Sequence, residues 1–285
     1  MPARTASARR RAVTSWPRRA PPACDRGSRP RLTRTHMPAY PLTALVLRKT
    51  KLGETDVILT LLAEDGSQVR AVAKGLRKPG SRFGGRLEPY SVVDLLLHTG
   101  KSLEVVSEAR CVTTHAGLRD DLDRGAAASV VADVLDKISL EGQTEARLFA
   151  LGTTTLSAME TSDLAVLPAL TVAFLLKALA MHGYRPELEA CAACAGDPGE
   201  SGAFSASHGG ALCPACGDVD PSALRLPAEA REWLSFFMRS TMSQIAAAEI
   251  PPAAVADCFT IVRGFVAYHL PARLKALDYY AGFIG

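Results

Sequence analysis

Two Cys-x-x-Cys pairs are the feature of this sequence that most constrains its fold. Cys191 pairs with Cys194 and Cys213 with Cys216, and 18 residues rich in Gly, Ser, Asp and Pro separate the pairs. This spacing lies within the pattern of four-thiolate zinc sites, in which two compact turns complete a tetrahedron. The sequence therefore predicts one Zn²⁺ ion held by Cys191, Cys194, Cys213 and Cys216.

The arrangement of the cysteines favours a structural metal over disulfides or catalysis. The chain has an odd number of cysteines, seven, and no apolar secretory segment at its N-terminus, which argues against a disulfide framework. A closed four-thiolate site leaves no coordination position for a reactive water. His208 is an alternative ligand, although four thiolates need no fifth donor. The sequence shows no nucleophile–base arrangement, so we predict no catalytic residue and no enzyme.

Five short apolar or alternating runs in the first half of the chain predict a small β-barrel. A connection of 14 residues, 76–89, separates the third run from the fourth. Five short strands with one longer connection are typical of a closed barrel of the OB type, because closure removes exposed sheet edges. The runs begin near Leu42, Val57, Gln68, Tyr90 and Ser102.

The hydrophobic period becomes helical from about Thr113 onward. The segment 163–183 is apolar on all sides, which predicts the buried centre of a helical bundle. Pro168 and Lys177 interrupt its most apolar part, 164–181, so we expect no membrane span.

The predicted fold class is α+β. An N-terminal OB-fold β-barrel, 37–112, precedes an α-helical domain, 113–285, into which a four-cysteine zinc module, 187–220, is inserted.

The net charge of +4 conceals a strong asymmetry along the chain. Residues 1–36 contain ten Arg and one acid, residues 37–112 have a net charge of +3, and residues 113–285 have a net charge of −8. The first segment lacks any helical or strand period, which predicts a disordered basic tail. It can be a nucleic-acid-binding arm, a transit peptide, or translation from an upstream start codon. We favour the last interpretation, because the folded pattern begins directly after Met37.

The connection after the third strand is strongly basic, and no acid occurs from Gly66 to Leu87. Cations suit phosphates, Phe83 suits base stacking, and glycines with one proline are expected to keep the loop extended. The alternatives are a solvated charge run and, for Phe83, a hydrophobic peg that fixes the loop to the barrel. A second cluster lies in the first turn. The predicted DNA-binding residues are Arg70, Lys74, Arg77, Lys78, Arg82, Phe83, Arg86, Arg48, Lys49 and Lys51.

The order of these features resembles the RecO family of bacterial recombination mediators. The resemblance runs from about Met37 to the C-terminal helices and rests on "VLRKTKLGETDVILTLLAEDGSQVRAVAKGLRKPG", "LLKALAMHGYRPELEACAACAG" and the later "CPAC". It implies binding of single- and double-stranded DNA, strand annealing, and partnership with RecR, single-stranded DNA-binding protein and, indirectly, RecA. It implies a cytoplasmic, nucleoid-associated protein without a membrane partner.

Two other functions remain open at this point. The chain could be a zinc-stapled scaffold that binds only protein, which a filter-binding test with oligonucleotides would distinguish. It could also be a fragment of a nucleic-acid enzyme, because OB barrels and four-cysteine modules occur together in NAD-dependent DNA ligases. The absence of a lysine nucleophile domain counts against a ligase, and an assay for covalent AMP would decide.

Overall fold

Five strands close into a barrel at the start of the part of the chain that the computed structural model describes, residues 38–284. The predicted tail, 1–36, lies outside the described residues. The order around the barrel is β1-β2-β3-β5-β4, and β4 returns to pair with β1. Only β3 and β5 run parallel among the described strands of this barrel, which is the OB arrangement and confirms the predicted fold. The strands are β1 (Ala39–Leu52), β2 (Asp56–Ala63), β3 (Gln68–Ala73), β4 (Val92–His98) and β5 (Glu104–Thr113).

Strand β1 is buried on both faces in its middle and contributes to two cores. Ala44 and Val46 belong to the core inside the barrel, whereas Leu45 and Leu47 pack into the helical core. A β-bulge interrupts the register with β2 between Val46 and Arg48. Because a bulge adds one residue to a strand, it shifts the facing of every later side chain. The bulge thereby places Arg48 on the outer face of the barrel.

Helices form the remainder of the described chain around one apolar centre. Helix α4 is that centre, with side chains buried all around its axis, as its sequence predicts. By length and composition the segment 164–181 could cross a membrane, but 61% of it is buried inside the protein, as in the core helix of a bundle. The helices are α1 (Gly117–Asp120), α2 (Leu122–Ile138), α3 (Ala146–Thr161), α4 (Leu167–Met181), α5 (Ala228–Arg239), α6 (Met242–Ala246), α7 (Pro252–His269) and α8 (Lys275–Tyr280).

A three-stranded antiparallel sheet lies between α4 and α5 and carries the cysteines. Its strands are β6 (Ser201–Ser205), β7 (Gly210–Leu212) and β8 (Leu224–Pro227), in the order β7-β6-β8. The sequence does not predict these strands, because they are short and poor in apolar residues. Phe204 of β6 fixes the sheet to the bundle through an edge-to-face contact with Phe265 of α7, 5.4 Å between ring centres.

Candidate metal centre and nucleic-acid interface

The four cysteines of the two Cys-x-x-Cys pairs converge on one point. All four Sγ atoms lie within 4.8 Å of one another, and those of Cys194 and Cys213 are 3.9 Å apart. A zinc–sulfur bond of about 2.3 Å gives a tetrahedron with an edge of about 3.8 Å. The thiols are therefore placed so that they could hold one metal ion in tetrahedral coordination. His208 is not part of the cluster, since its Nδ1 faces the Ser205 and Ser207 hydroxyls.

Backbone amides around the cluster favour the thiolate form of the sulfurs. The Cys213 N–H donates to the Cys191 sulfur over 3.3 Å, and such donors lower the pKa of Cys191 to about 6. Thiol hydrogen bonds with Cys213 and Cys194 raise the pKa of Cys216 to about 12, so this sulfur shares a proton donor with its neighbours in the absence of a metal. Because metal binding replaces thiol protons, the donor set fits a cation that prefers four thiolates.

A buried carboxylate braces the sheet that carries the metal site. Asp220 accepts hydrogen bonds from the hydroxyls of Ser205 and Ser207 and from both the amide and the hydroxyl of Ser222. These donors, led by Ser205, hold the pKa of Asp220 well below its usual range. The sequence does not predict this role, because Ser205 ends β6 whereas Ser207 and Ser222 lie in two separate turns, and only the fold brings the three serines to Asp220.

The basic β3–β4 loop is folded, which corrects the expectation that glycines keep it extended. Its backbone forms successive i→i+3 hydrogen bonds, from Lys78 N to Gly75 O, Ser81 N to Lys78 O, Gly84 N to Ser81 O and Arg86 N to Phe83 O. Gly75 and Gly85 have φ values of +68° and +69°. Glycines at such positions permit tight turns that other residues rarely enter.

Phe83 closes one end of the barrel and is 1% exposed. Together with Leu87 it belongs to the core inside the barrel. A nucleobase cannot stack on a ring in this position, so the structure places Phe83 as the hydrophobic peg of the alternative interpretation.

Arg77 ties the basic loop to the tip of the β1–β2 hairpin. Its Nη1 donates to the carbonyl oxygen of Glu54 over 2.9 Å. Asp56 adds a second tie, because its Oδ1 accepts the Gly75 N–H over 2.8 Å. This bond, with the Thr55 hydroxyl and nearby lysines, lowers the pKa of Asp56. The loop and the hairpin tip therefore form one surface.

Arg48 and Lys49 are partly neutralised, unlike the other predicted cations. Arg48 donates to Asp136 of α2 over 2.9 Å, and Lys49 to Glu88 over 2.8 Å. Asp136 and Glu88 lie outside the acid-free stretch of sequence, so only the fold reveals these pairs.

Seven of the ten predicted residues form a cationic surface, here called the barrel-end surface. Strand register aligns Lys51 with Val57 and Val57 with Ala73, next to Lys74, so the hairpin and loop cations share one end. Arg70 lies further along β3 on the outer face. Within residues 38–284 none of the seven forms an ion pair. They are Lys51, Arg70, Lys74, Arg77, Lys78, Arg82 and Arg86, all exposed.

These features define the class of the protein as a closed five-stranded barrel joined to a helical bundle that carries a cluster of four cysteines within metal-binding distance of one another. Comparison with known families gives the same division. Residues 37–115 match the family "Recombination protein O N terminal", and residues 119–278 match "Recombination protein O C terminal".

The chain belongs to the RecO family of DNA repair proteins. It is 37% identical over 255 residues to the DNA repair protein RecO of Frankia casuarinae, covering 85% of this chain and 98% of the relative. It is 35% identical over 243 residues to that of Bifidobacterium animalis subsp. lactis, again covering 85% and 98%. A Nocardioides relative is 37% identical over 251 residues, covering 83% and 96%.

Proposed function

We propose that this protein is a non-enzymatic recombination mediator that grips single- and double-stranded DNA on the barrel-end surface. The observation that carries this proposal is the set of seven exposed cations that form no ion pair among residues 38–284. Lysine and arginine neutralise DNA phosphates and release counterions, which supplies affinity without sequence preference. Arg48 and Lys49 contribute less, because Asp136 and Glu88 already compensate their charges.

DNA binding by this surface would support strand annealing. With partner proteins, it would also support the loading of RecA onto strands coated by single-stranded DNA-binding protein. The name that the relatives share, DNA repair protein RecO, supports this role. RecR and single-stranded DNA-binding protein would dock on the helical part, whose net charge of −8 is poorly suited to DNA. The setting is the cytoplasm, at the nucleoid, with no membrane partner.

We assign Zn²⁺ to the four-cysteine site, in a structural role. Zinc accepts four thiolates in a closed tetrahedron, and its binding energy becomes folding energy for a segment with little core of its own. The cysteines lie in the segments that precede β6 and follow β7, and they belong to a different sheet from the barrel that carries the predicted DNA-binding cations. The metal would therefore hold the module together without contacting DNA.

A salt titration of DNA binding tests the proposed function. The test variant replaces Lys74, Lys78, Arg82 and Arg86 with Ala and spares Arg77, which anchors the hairpin tip. If all four cations contact phosphates, the slope of log affinity against log salt should flatten by about 2.8 on single strands and about 3.6 on duplex DNA. Affinity should fall on all sequences alike.

A control variant that loses the same number of positive charges elsewhere distinguishes an effect of the barrel-end surface from an effect of the net charge. It replaces four exposed cations of the helical part with Ala, namely Arg147, Arg185, Arg225 and Lys275. This control should keep most of the parent's affinity and slope. Equal binding by the parent and the folded loop variant, or equal losses in both variants, would exclude the barrel-end surface as the DNA site.

A further inference from the structure

A groove of about 580 Å³ lies where the basic loop ends against helices α1, α2 and α8. Its apolar lining includes Tyr90, Leu118, Leu122 and Tyr279. The groove is separate from the metal site and is not part of the barrel-end surface.

Two large apolar side chains of this groove are exposed to solvent. Leu122 is 69% exposed and Tyr279 is 57% exposed. Single exposed apolar residues are ordinary on protein surfaces. Two that line one groove together form an exposed apolar surface, which is a feature of docking sites. Aromatic side chains in particular are enriched in protein–protein interfaces.

The backbone of Tyr90, which also lines this groove, has an unusual conformation. Its φ is +72°, a left-handed value that is unfavourable for a tyrosine. Hydrogen bonds from Tyr90 N to Val46 O, 2.8 Å, and from Val46 N to Ser91 O, 2.9 Å, hold this backbone in place. A strained residue that the surrounding structure holds fixed is a common attribute of functional sites.

The charges at the groove select the kind of partner. Asp120 and Asp121 line it, and neither forms an ion pair within residues 38–284. Asp123 follows in the first turn of α2. The lining cation, Arg119, donates through Nη1 to the carbonyl oxygens of Pro89 and Thr114. Two carboxylates against the one guanidinium of Arg119 leave the groove apolar with a net negative rim, which is poorly suited to DNA.

We propose that this groove docks a segment of a partner protein in which an apolar side chain stands between lysines or arginines. The apolar side chain would lie between Leu122 and Tyr279, and the flanking cations would face Asp120 and Asp121. Complementary charge at a rim governs association and salt dependence, and a buried apolar anchor governs dissociation. This interface is additional to the proposed DNA grip.

A labelled peptide of about ten residues, with a central Leu flanked by lysines, is the probe for the full-length protein. Fluorescence anisotropy should show binding that weakens with salt. Leu122→Ser and Tyr279→Ser should each weaken it by about five-fold or more. The pair Asp120→Asn and Asp121→Asn should reduce its salt dependence, and Asn at position 121 keeps the N-cap that Asp121 gives to α2.

Matched controls make the result specific to the groove. Leu164→Ser changes another exposed leucine and should leave peptide binding unchanged. A probe with Ser for Leu, and one with Glu for Lys, should bind weakly. The groove variants should keep DNA affinity within about two-fold, which separates this proposal from the proposed function.

Three results would overturn the proposal. The first is equal peptide binding by the groove variants and the Leu164→Ser control. The second is equally tight binding of the Glu-containing probe. The third is a self-association in sedimentation that Leu122→Ser abolishes, because the groove would then hold a second copy of this chain.

Discussion

The guanidinium of Arg82 lies 4.7 Å from the centre of the Phe83 ring. Phe83 points into the barrel core, so its neighbour covers the ring on the outside while keeping its own charge in solvent. Two adjacent residues thus divide two roles: Phe83 holds the loop, and Arg82 presents a cation. Substitutions of these two residues should therefore have different effects on the protein.

Phe83→Ala should lower the free energy of unfolding by about 3–5 kcal/mol, because it opens a cavity at the end of the barrel. DNA affinity should fall equally on single strands and duplex, since the loop as a whole loses its anchor. Urea unfolding and binding titrations measure the two effects, and Phe83→Leu should retain most of both. Normal stability with a loss confined to single strands would restore the base-stacking interpretation.

Arg48→Ala and Lys78→Ala should differ although both remove one cation from the barrel. Arg48 is held in an ion pair with Asp136, which Lys137 shares, so Arg48→Ala should change DNA affinity by less than about two-fold. Lys78→Ala should reduce the salt slope on single strands by about 0.7. A salt titration of both variants is the measurement, and equal slopes for the two would contradict the assignment.

Purified protein should contain about one zinc per chain. Cys194→Ser should lower the zinc content, and the thermal midpoint should fall by several degrees, because structural zinc contributes about 10–16 kcal/mol in isolated fingers. Cys111 lies outside the cluster, so Cys111→Ser should keep the metal. Zinc loss with an unchanged midpoint would mean that the metal does not stabilise the fold.

Asp220→Asn should destabilise the cysteine-bearing sheet, since it replaces a charged acceptor of four hydrogen bonds. The folded pKa of Asp220 is depressed, so its contribution is present above the ordinary aspartate pKa. That contribution declines as the pH falls below the ordinary aspartate pKa, and it is lost once the pH has fallen through the depressed value. The difference in melting between parent and variant should therefore be constant between about pH 7 and about pH 5.

The neighbouring Asp218→Asn is the matched control for Asp220→Asn, because Asp218 is exposed. It should melt like the parent. Equal melting temperatures of the parent and both variants would show that Asp220 does not stabilise the fold.

Local patterns sufficed for the strands of the barrel and for the cysteine cluster, and they failed for the short strands β6–β8 and where distant segments meet. Alternating residues predict β3, and the short Cys-x-x-Cys spacing predicts the cluster of sulfurs. The burial of Phe83 depends on how the barrel closes, which its neighbours in sequence do not encode. The pairing of Arg48 with Asp136 spans 88 positions along the chain, and it also depends on a bulge that no local pattern marks.

Strand β1 places alternate side chains into the barrel core and the helical core, so neither core is complete without it. The barrel cannot be released as an autonomous fragment without exposing Leu45 and Leu47 to water, and the bundle cannot be released without losing them. The two parts should therefore melt together in a single calorimetric transition. A DNA strand that stabilises the barrel would then raise the melting temperature of the distant helices as well.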